Sequence, residues 1–301
     1  MKSGKEYLFK SGFVTFVGKP NVGKSTILTK ITETSFFITT PKPQTTRNSI
    51  KGILTKKDYQ IIFLDTPGFL NQTNKLQEKM LFYLMEAIKS ADVFVYITDI
   101  STYPSDYDKR VLKIIKKEKK PIIAIFNKID KINRIELENK TVSLIKKWNN
   151  KKNRICFTSA KKNVGIKNIV PLIKEFLPIN PPYFDKEYLS DLPEKFFVEE
   201  IIRKQIFLKL KKEIPYSSAV VVEKFDEKEK KIFIDATVFI ERNSQKIIII
   251  GKNGSMIKKI KISSEKEIFH LLKKKIKLKL WVQIKKNWKN NSYALEEVGY
   301  K

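Results

Sequence analysis

Short β-forming runs alternate with helix-forming stretches from residue 13 to 177, and this alternation is the strongest constraint on the fold. The apolar runs read FVTFVG, YQIIFLDT, VFVYITDI, PIIAIFNK and RICFTSA. Between them, stretches such as 75–90 and 105–119 space apolar residues three and four apart, as amphipathic helices do. Strands that alternate with helices predict a doubly wound, mostly parallel α/β sheet, with loops at the carboxyl ends of its strands.

The chain changes character near residue 178. Prolines at 178, 181 and 182 cannot continue a helix, so we predict a linker over 178–193 between a first domain (1–177) and a second (194–301, including a C-terminal tail). The second domain begins with a helical pattern over about 194–212. Two β-rich runs, two helices and the strand KLKLWVQIKK follow. This order predicts an α+β domain.

A glycine-rich loop, GKPNVGKST, joins the first apolar strand to a helical stretch. It fits G-x-x-x-x-G-K-[ST], the P-loop pattern, in the strand–loop–helix context that the motif requires. Gly18 and Gly23 allow the backbone N–H groups to turn toward phosphate oxygens. Lys24 reaches the β- and γ-phosphates, and Ser25 offers a hydroxyl to Mg²⁺. The sequence therefore predicts a nucleoside triphosphate site.

Three shorter motifs, each at the end of a strand, indicate that the nucleotide is GTP. DTPG begins at Asp65, which can reach Mg²⁺ through water, and its Gly68 amide can contact the γ-phosphate. NKID ends in Asp130, whose carboxylate can accept the two N–H donors of guanine, a pair that adenine lacks. TSA offers the Ala160 amide to guanine O6. The predicted nucleotide-binding residues are Gly18, Lys19, Pro20, Asn21, Val22, Gly23, Lys24, Ser25, Thr26, Asp65, Thr66, Pro67, Gly68, Phe69, Asn127, Lys128, Ile129, Asp130, Ser159 and Ala160.

A polar segment with two prolines, TTPKPQTTRNS, lies between the first two predicted strands. We predict that it is a switch that the γ-phosphate orders and hydrolysis releases. Thr46, with Thr45 as the alternative, would complete a magnesium site with Ser25 and Asp65. The predicted switch I residues are Gln44, Thr45, Thr46, Arg47 and Asn48.

Two positions bear on hydrolysis. Phe69 follows DTPG, where Ras-like enzymes carry the glutamine that orients the attacking water, so we expect slow intrinsic turnover or another activating group. The Asn21 side-chain oxygen could help to hold K⁺ beside the phosphates, in place of an arginine finger. The alternative is that Asn21 is an ordinary loop residue.

A second glycine loop, IGKNGSMIKK, lies between two predicted helices and lacks the G-K-[ST] ending. Gly-x-x-Gly between helices is the device with which KH domains clamp about four nucleotides of single-stranded nucleic acid. The predicted RNA-binding residues are Ile250, Gly251, Lys252, Asn253, Gly254, Lys258 and Lys259. The alternative is a simple helix–helix turn. The two loops are thus predicted to bind different ligands, GTP and an RNA chain.

The net charge of +29 supports an anionic partner for the second loop. The sequence is rich in lysine, isoleucine and asparagine, whose codons are AT-rich, so genome bias could raise the charge through lysine without selection for such a partner. However, residues 251–290 hold 13 basic and 2 acidic side chains, while the rest of 181–301 is close to neutral. Such a local concentration beside the glycine loop favours a polyanion site.

Composition excludes several other functions. A lone cysteine, Cys156, excludes an internal disulfide, and a lone histidine, His270, excludes a histidine metal cluster or a Ser/His triad. No apolar run approaches the ~20 residues that a membrane span needs. The N-terminal stretch lacks the apolar core of a signal peptide, so we expect a cytoplasmic protein.

With both loops in place, the chain resembles the Era family, bacterial GTPases with a C-terminal type II KH domain. The resemblance covers nearly the full length through GKPNVGKST, QTTRN, DTPG, NKID, PPYF, IGKNGSMIK, KLKLWVQIKKNW and LEEVGY. It implies a GTP/GDP switch that uses Mg²⁺, binds the 3′ end of small-subunit ribosomal RNA and assists maturation of the small ribosomal subunit. It also implies some peripheral contact with the inner membrane, and we expect a monomer.

Two other functions compete with this interpretation. In the first, the chain is a constitutive RNA-binding module whose GTPase domain is a scaffold with negligible turnover, as Phe69 suggests. In the second, it is a membrane-peripheral GTPase whose basic surface contacts anionic lipid, although no amphipathic helix carries a clear lipid-facing aromatic edge.

Overall fold

The computed structural model describes residues 8–34, 37–40, 42, 45–69, 73–148, 150–151 and 153–300. By contacts, the chain forms two compact units. The first comprises Met1–Phe37, Thr46–Phe69 and Leu81–Asp191, and the second comprises Ile38–Thr45, Leu70–Met80 and Leu192–Lys301. The division at 177 and 194 predicted from sequence places 38–45 and 70–80 in the first domain. A linear division cannot capture this grouping, because these segments pack against side chains far along the chain.

The first unit is built on a six-stranded sheet in the order β2-β3-β1-β4-β5-β6. Only β2 is antiparallel to its neighbour, β3, and the other pairs are parallel. The predicted doubly wound α/β fold is therefore confirmed. The strands are β1 Lys10–Gly18, β2 Ile50–Thr55, β3 Tyr59–Asp65, β4 Val93–Asp99, β5 Ile122–Asn127 and β6 Asn153–Phe157.

Strands β4 and β5 are buried along their whole length, as expected for central strands of a sheet covered on both faces. Helices pack on these faces and bury apolar residues such as Val111 and Ile115 of α3. The helices are α1 Lys24–Thr32, α2 Lys75–Ser90, α3 Asp106–Lys117, α4 Arg134–Trp148 and α5 Ile169–Phe176. The loops that carry the predicted motifs follow parallel β-strands. They therefore lie together at the carboxyl ends of the strands of this sheet.

The second unit contains a three-stranded sheet in the order β7-β8-β9, in which β8 and β9 are parallel and β7 is antiparallel to β8. One face of the sheet, with Ile234, Ala236 and Leu278, packs in a core with residues of α6 and α9. The elements are α6 Glu194–Lys209, α7 Ile214–Ser217, β7 Ala219–Glu227, β8 Lys231–Ile240, α8 Asn243–Ile250, α9 Ser255–Leu272, β9 Lys275–Ile284 and α10 Ser292–Glu297. This is the predicted α+β order.

A smaller apolar cluster completes the second unit. It brings together residues from three distant parts of the sequence: Leu76, Met80, Ala219, Trp288, Ala294, Leu295, Val298 and Tyr300. Trp288 is fully buried and donates its indole N–H to the Ser217 carbonyl at 3.0 Å. The cluster explains why 70–80 groups with the C-terminal residues.

None of the helices in the described ranges combines the length and the apolar character needed to cross a bilayer. Cys156 is buried in β6, and burial raises the pKa of its thiol to about 11. His270 lies exposed near the end of α9. Neither residue belongs to the sites described below.

Candidate functional site

The P-loop curls between the last residue of β1, Gly18, and the first of α1, Lys24. Gly23 adopts φ +106°, and a Cβ there would lie 2.4 Å from Asn127 Nδ2. The Lys24 ammonium reaches back across the loop and donates to the carbonyl oxygens of Gly18 at 3.0 Å and Lys19 at 3.3 Å. The loop thus wraps around the Lys24 side chain and holds its ammonium group in place.

The three predicted magnesium ligands lie together. Asp65 Oδ2 accepts hydrogen bonds from Ser25 Oγ at 2.8 Å and Thr46 Oγ1 at 3.2 Å. Asp65 Oδ1 is buried and has no hydrogen-bond partner among the described residues. A buried carboxylate oxygen without a partner is costly unless a ligand satisfies it. Two hydroxyls and this carboxylate fit the hard oxygen ligands that Mg²⁺ prefers.

Thr45, the alternative magnesium ligand, is oriented differently. Its hydroxyl is hydrogen-bonded to the Lys42 carbonyl at 2.8 Å and to the Thr40 hydroxyl at 2.6 Å. The structure therefore places Thr46, and not Thr45, beside Asp65. Arg47 is buried. Gln44, the first predicted switch I residue, lies outside the described residues.

Burial controls the charges at this site. Desolvation lowers the pKa of Lys24 and raises that of Asp65, while the attraction between their charges opposes both shifts. Each group therefore favours the charged form of the other. A bound triphosphate would add negative charge beside Lys24, and Mg²⁺ would add positive charge beside Asp65. When bound, Mg²⁺ supplies electrostatic stabilisation of charge on the β- and γ-phosphate oxygens.

The guanine-reading motifs meet through Asn127. Its Oδ1 accepts hydrogen bonds from Thr158 Oγ1 at 3.0 Å and from the Ala160 N–H at 2.9 Å, and its Nδ2 donates to the Val22 carbonyl at 2.7 Å. One buried side chain thus joins the P-loop, the NKID loop and the TSA loop. The Ala160 amide, predicted to face guanine O6, donates to Asn127 in this structure.

The TSA loop holds the Asp130 side chain in place. Ser159 Oγ donates to Asp130 Oδ1, and the Lys162 N–H in turn donates to Ser159 Oγ at 3.1 Å. The bond from Ser159 holds the pKa of Asp130 below its usual value. The carboxylate therefore stays ionised at neutral pH and remains an acceptor for guanine N–H donors.

The second glycine loop forms the predicted turn between α8 and α9. Gly251, Asn253 and Gly254 all have positive φ, at 72°, 51° and 73°. The Lys252 and Asn253 side chains are exposed. Beside the turn, a groove with a volume of about 510 Å³ separates α9 from β9. It is lined by Ile257, Lys258, Lys261, Lys279, Leu280 and Trp281.

Comparison with known proteins gives the same two types of domain. Family models match a 50S ribosome-binding GTPase over residues 13–128 and a KH domain over residues 213–289. The chain is 40% identical to the GTPase Era of Carboxydothermus hydrogenoformans over 97% of this chain and 98% of that protein. It is 39% identical to the GTPase Era of Clostridium tetani over 98% of this chain and all of that protein. The chain belongs to the Era family of GTPases.

Two solved Era structures match this chain over nearly its full length. One, Era in complex with MgGDPNP and nucleotides 1506–1542 of 16S ribosomal RNA, superposes with a TM-score of 0.91 at 30% identity, covering 97% of this chain and 99% of that one. The other, a variant of Aquifex aeolicus Era bound to GDP·AlF4⁻, has a TM-score of 0.92 at 31% identity, with the same coverage. The predicted family and its GTPase activity are confirmed.

Sequence reasoning missed a carboxylate that supports the guanine site of this Era-family chain. Asp99, at the end of β4, accepts Lys128 Nζ at 3.0 Å, Lys131 Nζ at 3.3 Å and Ser101 Oγ at 2.6 Å. Burial raises the pKa of Asp99, but the bonds from Ser101 and Lys128 outweigh it and hold the pKa at about 2. Asp99 thereby orients Lys128, one of the predicted nucleotide-binding residues. The signal available in the sequence was an acidic residue at the end of β4, the strand that pairs with the strand leading into NKID.

Sequence reasoning also missed a tyrosine at the phosphate end of the site. The Phe69 N–H donates to the Tyr107 hydroxyl at 2.6 Å, and that hydroxyl donates to the Gly18 carbonyl at 3.4 Å. The two aromatic rings meet edge to face, with centroids 6.4 Å apart. Tyr107 therefore holds the residue after DTPG against the P-loop. No sequence pattern marked it.

The groove residues were a third omission. Lys258 was predicted, but Lys261, Lys279 and Trp281, which line the same groove, were not. The alternation in KLKLWVQIKK places a lysine or the tryptophan at every second position of its first half. This alternation is the signal that could have identified Lys279 and Trp281; it does not extend to Lys261, which lies in α9.

Proposed function

We propose that this chain is a GTP-hydrolysing switch that binds the 3′ region of small-subunit ribosomal RNA through its KH domain and assists maturation of the small ribosomal subunit. The observation that carries the proposal is the presence of two different glycine loops in one Era-family chain. One closes around a buried lysine beside a buried carboxyl group, and the other opens onto an exposed basic groove. The solved Era complex contains a GTP analogue and 16S ribosomal RNA, which supports this assignment of ligands.

The RNA half of the proposal is tested at the GKNG turn. Replacing both Lys252 and Asn253 by Asp places two carboxylates where the phosphates of a bound strand would pass. We expect RNA affinity to fall at least tenfold, or about 1.4 kcal/mol, and the loss to shrink as salt rises. The measurement is a salt series of binding to a single-stranded fragment of the ribosomal RNA 3′ end, with GTP binding unchanged.

A matched control separates this effect from the change in total charge. Asn139 and Lys146 are exposed residues of α4 in the first unit. The double variant Asn139→Asp/Lys146→Asp changes the same residue types to the same charge, far from any glycine loop in the sequence. Equal loss of RNA affinity in both double variants, or no loss in either, would leave GKNG as a helix–helix turn only.

The GTPase half is tested by turnover with and without the same RNA fragment. A switch predicts that RNA changes the GTPase rate. The competing constitutive RNA-binding module predicts tight RNA binding, negligible turnover and no response to RNA. Because Phe69 lacks a hydrogen-bonding side chain, we expect Phe69→Ala to retain much of the activity, whereas Lys24→Ala loses nucleotide binding.

Two ions are assigned within this proposal. Ser25, Thr46 and Asp65 hold Mg²⁺, as supported by their shared position and by the unpaired Asp65 oxygen. Asn21, which has φ 62° within the P-loop, helps to hold K⁺. Equal turnover in potassium and sodium buffers, with Asn21→Ala behaving as the parent, would remove the K⁺ assignment.

The remaining assignments concern the state of the protein in the cell. We infer a cytoplasmic monomer with peripheral contact to the inner membrane, a contact supported by the family resemblance and the basic surface alone. Light scattering tests the monomer. Sedimentation with anionic vesicles, in competition with the RNA fragment, tests the membrane contact. If vesicles bind and RNA does not compete, lipid and RNA use different surfaces.

A further inference from the structure

The outer face of β9 carries a row of basic and aromatic side chains. Alternate residues of this strand, including Leu278 and Leu280, point into the core of the second unit. The other set faces away from that core and consists of Lys275, Lys277, Lys279 and Trp281, all exposed, which we call the outer strip. Trp281 is 58% exposed, whereas the other two tryptophans are buried. Trp281 thus presents an aromatic face to solvent beside the lysines of the outer strip.

The lysines of the outer strip differ from those around them in their pairing. Lys274, Lys285 and Lys289 each form an ion pair, with Glu227, Glu297 and Glu241 respectively. Within the described part of the chain, no carboxylate lies within 4.0 Å of the ammonium groups of Lys275, Lys277 or Lys279. Asp235 of β8 lies opposite Lys279 in the register, whereas Lys275 and Lys277 lie opposite Lys231 and Phe233. The positive charge of Lys275 and Lys277 is therefore available to an outside anion.

Phe233 of the neighbouring strand β8 adds an aromatic ring to this face. Phe233 lies opposite Lys277 in the parallel register, and the Lys277 ammonium is 5.8 Å from the centre of its ring. Lys228 also approaches the same ring, at 5.5 Å. Flat π-faces beside mobile cations are the combination with which proteins bind single-stranded nucleic acid, because bases stack on the rings and phosphates meet the cations.

The outer strip is continuous with the groove beside the GKNG turn. Lys279 and Trp281 belong to the outer strip and also line that groove. β9 is the edge strand of its sheet, so no further strand among the described residues separates the groove from the outer face. A KH groove holds about four nucleotides. A longer strand that leaves the groove across the edge of β9 would meet the outer strip next.

We propose that the outer strip is a second nucleic-acid contact, which binds the single-stranded RNA that flanks the tract held in the groove. This inference rests on the proposed RNA-binding function and adds a longer footprint to it. Lys275 and Lys277 would contact phosphates, and Trp281 would stack on a base where the strand crosses from groove to sheet. Lysines two residues apart on a strand are about 6.6 Å apart, so the strip offers charge at regular intervals.

The test compares a short and a long RNA. Lys275 and Lys277 are not groove residues, so Lys275→Glu/Lys277→Glu alters the outer strip alone. We expect a tenfold or greater loss of affinity for a ten-nucleotide fragment of the ribosomal RNA 3′ end, and less than a twofold loss for a four-nucleotide fragment. The slope of log affinity against log salt for the long RNA should fall by about 1.4, the value for two lost phosphate contacts on a single strand.

Control variants make the result specific. Lys146→Glu/Lys147→Glu carries the same charge change on exposed residues of α4 and should bind both RNAs as the parent does, apart from a small uniform loss. Lys275→Gln/Lys277→Gln removes the charges without reversing them and should show an intermediate loss. This glutamine variant also provides the test of the outer strip if the glutamate variant does not fold. Trp281→Ala should weaken the long RNA more than Trp281→Phe, which keeps an aromatic face.

Three outcomes would overturn the inference. The long RNA could bind the outer-strip variants as tightly as the parent. It could weaken equally in the α4 control. Anionic vesicles could bind the parent and not the outer-strip variants while RNA binding is unchanged, which would assign the strip to lipid. If Lys252→Asp/Asn253→Asp leaves both RNAs bound, the proposed function itself fails, which is a different result.

Discussion

The two glycine loops differ in how closely their surroundings pack against the glycine that precedes the following helix. In the P-loop, a Cβ on Gly23 would collide with Asn127, and the lysine that follows, Lys24, is buried. In the second loop, a Cβ on Gly254 would meet nothing within 4 Å, and Lys252 is exposed. Both glycines have positive φ. Gly23 is therefore needed for space as well as backbone conformation, whereas Gly254 is needed for conformation alone. Gly251, at the start of the second loop, is also crowded, because a Cβ there would lie 2.9 Å from the Met256 backbone nitrogen.

This contrast follows from the shape of the ligands. A nucleotide is a compact ligand with one reacting end, and a closed, low-dielectric site strengthens every interaction with its phosphates. An RNA strand is an extended polymer that must enter and leave, so its site is an open surface on which charge and stacking count more than enclosure. Substitutions in the two loops should differ in size accordingly.

The largest effect is expected for Gly23→Ala. The methyl group must displace Asn127, which joins three nucleotide-binding loops, and the residue must also hold a left-handed φ. We expect GTP affinity to fall about a thousandfold, or about 4 kcal/mol, as measured by isothermal titration calorimetry. RNA affinity should stay within twofold of the parent. A change of less than tenfold in GTP affinity would show that the P-loop does not depend on the space that Gly23 leaves for Asn127.

The next effect is expected for Asp130→Asn. One acceptor oxygen becomes a donor, so guanine loses a charge-assisted hydrogen bond and the affinity for GTP should fall about a hundredfold. Xanthosine triphosphate, which presents an oxygen in place of the amine, should bind relatively better. Competition between the two nucleotides measures this preference. If the Asp130→Asn variant still favours GTP as strongly as the parent, Asp130 does not read the base.

A third prediction concerns the unit that supports the open loop. Glu199 of α6 accepts the Val222 N–H at 2.8 Å, and burial raises its pKa from 4.5 to about 7, against the opposing effects of that bond and of Lys195. Between these two values the folded state binds more protons than the unfolded state. The protonated carboxyl therefore favours folding at pH 4.5 and below, and this contribution is lost as pH rises to 7.

Glu199→Gln should remove this dependence. Between pH 4.5 and 8, we expect the free energy of unfolding of the second unit to change by about 3 kcal/mol less in this variant than in the parent. Hydrogen exchange of β7 and β8 amides would report on this unit. Glu194→Gln, at an exposed position of the same helix, is the control and should keep the parental profile. An unchanged slope in Glu199→Gln would mean that Glu199 titrates normally.

The smallest effect is expected for Gly254→Ala. No neighbour obstructs the methyl group, so only the left-handed backbone is strained, at about 1 kcal/mol of stability. Asn tolerates this conformation better, so Gly254→Asn should cost less than alanine. Urea unfolding of both variants measures the difference. A loss as large as that of Gly23→Ala would show that the second loop is also sterically closed.

The sequence predicted most of what depends on local pattern. The P-loop, DTPG and NKID each combine a strand end with residues whose chemistry is specific, and the structure brings Ser25, Thr46 and Asp65 together. Strand β2 was missed because its sequence, IKGILT, contains a lysine and a glycine, and its identity depends on pairing with β3. Asp99 was missed because its partners Lys128 and Lys131 become neighbours only when β4 pairs with β5.

The second unit is assembled from segments that are far apart in the sequence, which affects when it can fold during synthesis. Its apolar cluster joins Leu76 and Met80 to Trp288 and Val298, so the polypeptide that leaves the ribosome early must wait for the C-terminal residues before this cluster can close. Helix α10 supplies Leu295 to the same cluster. Leu76 and Met80 therefore belong to an early-synthesised segment of a late-folding unit, and a chain cut at residue 192 would expose their apolar side chains to water.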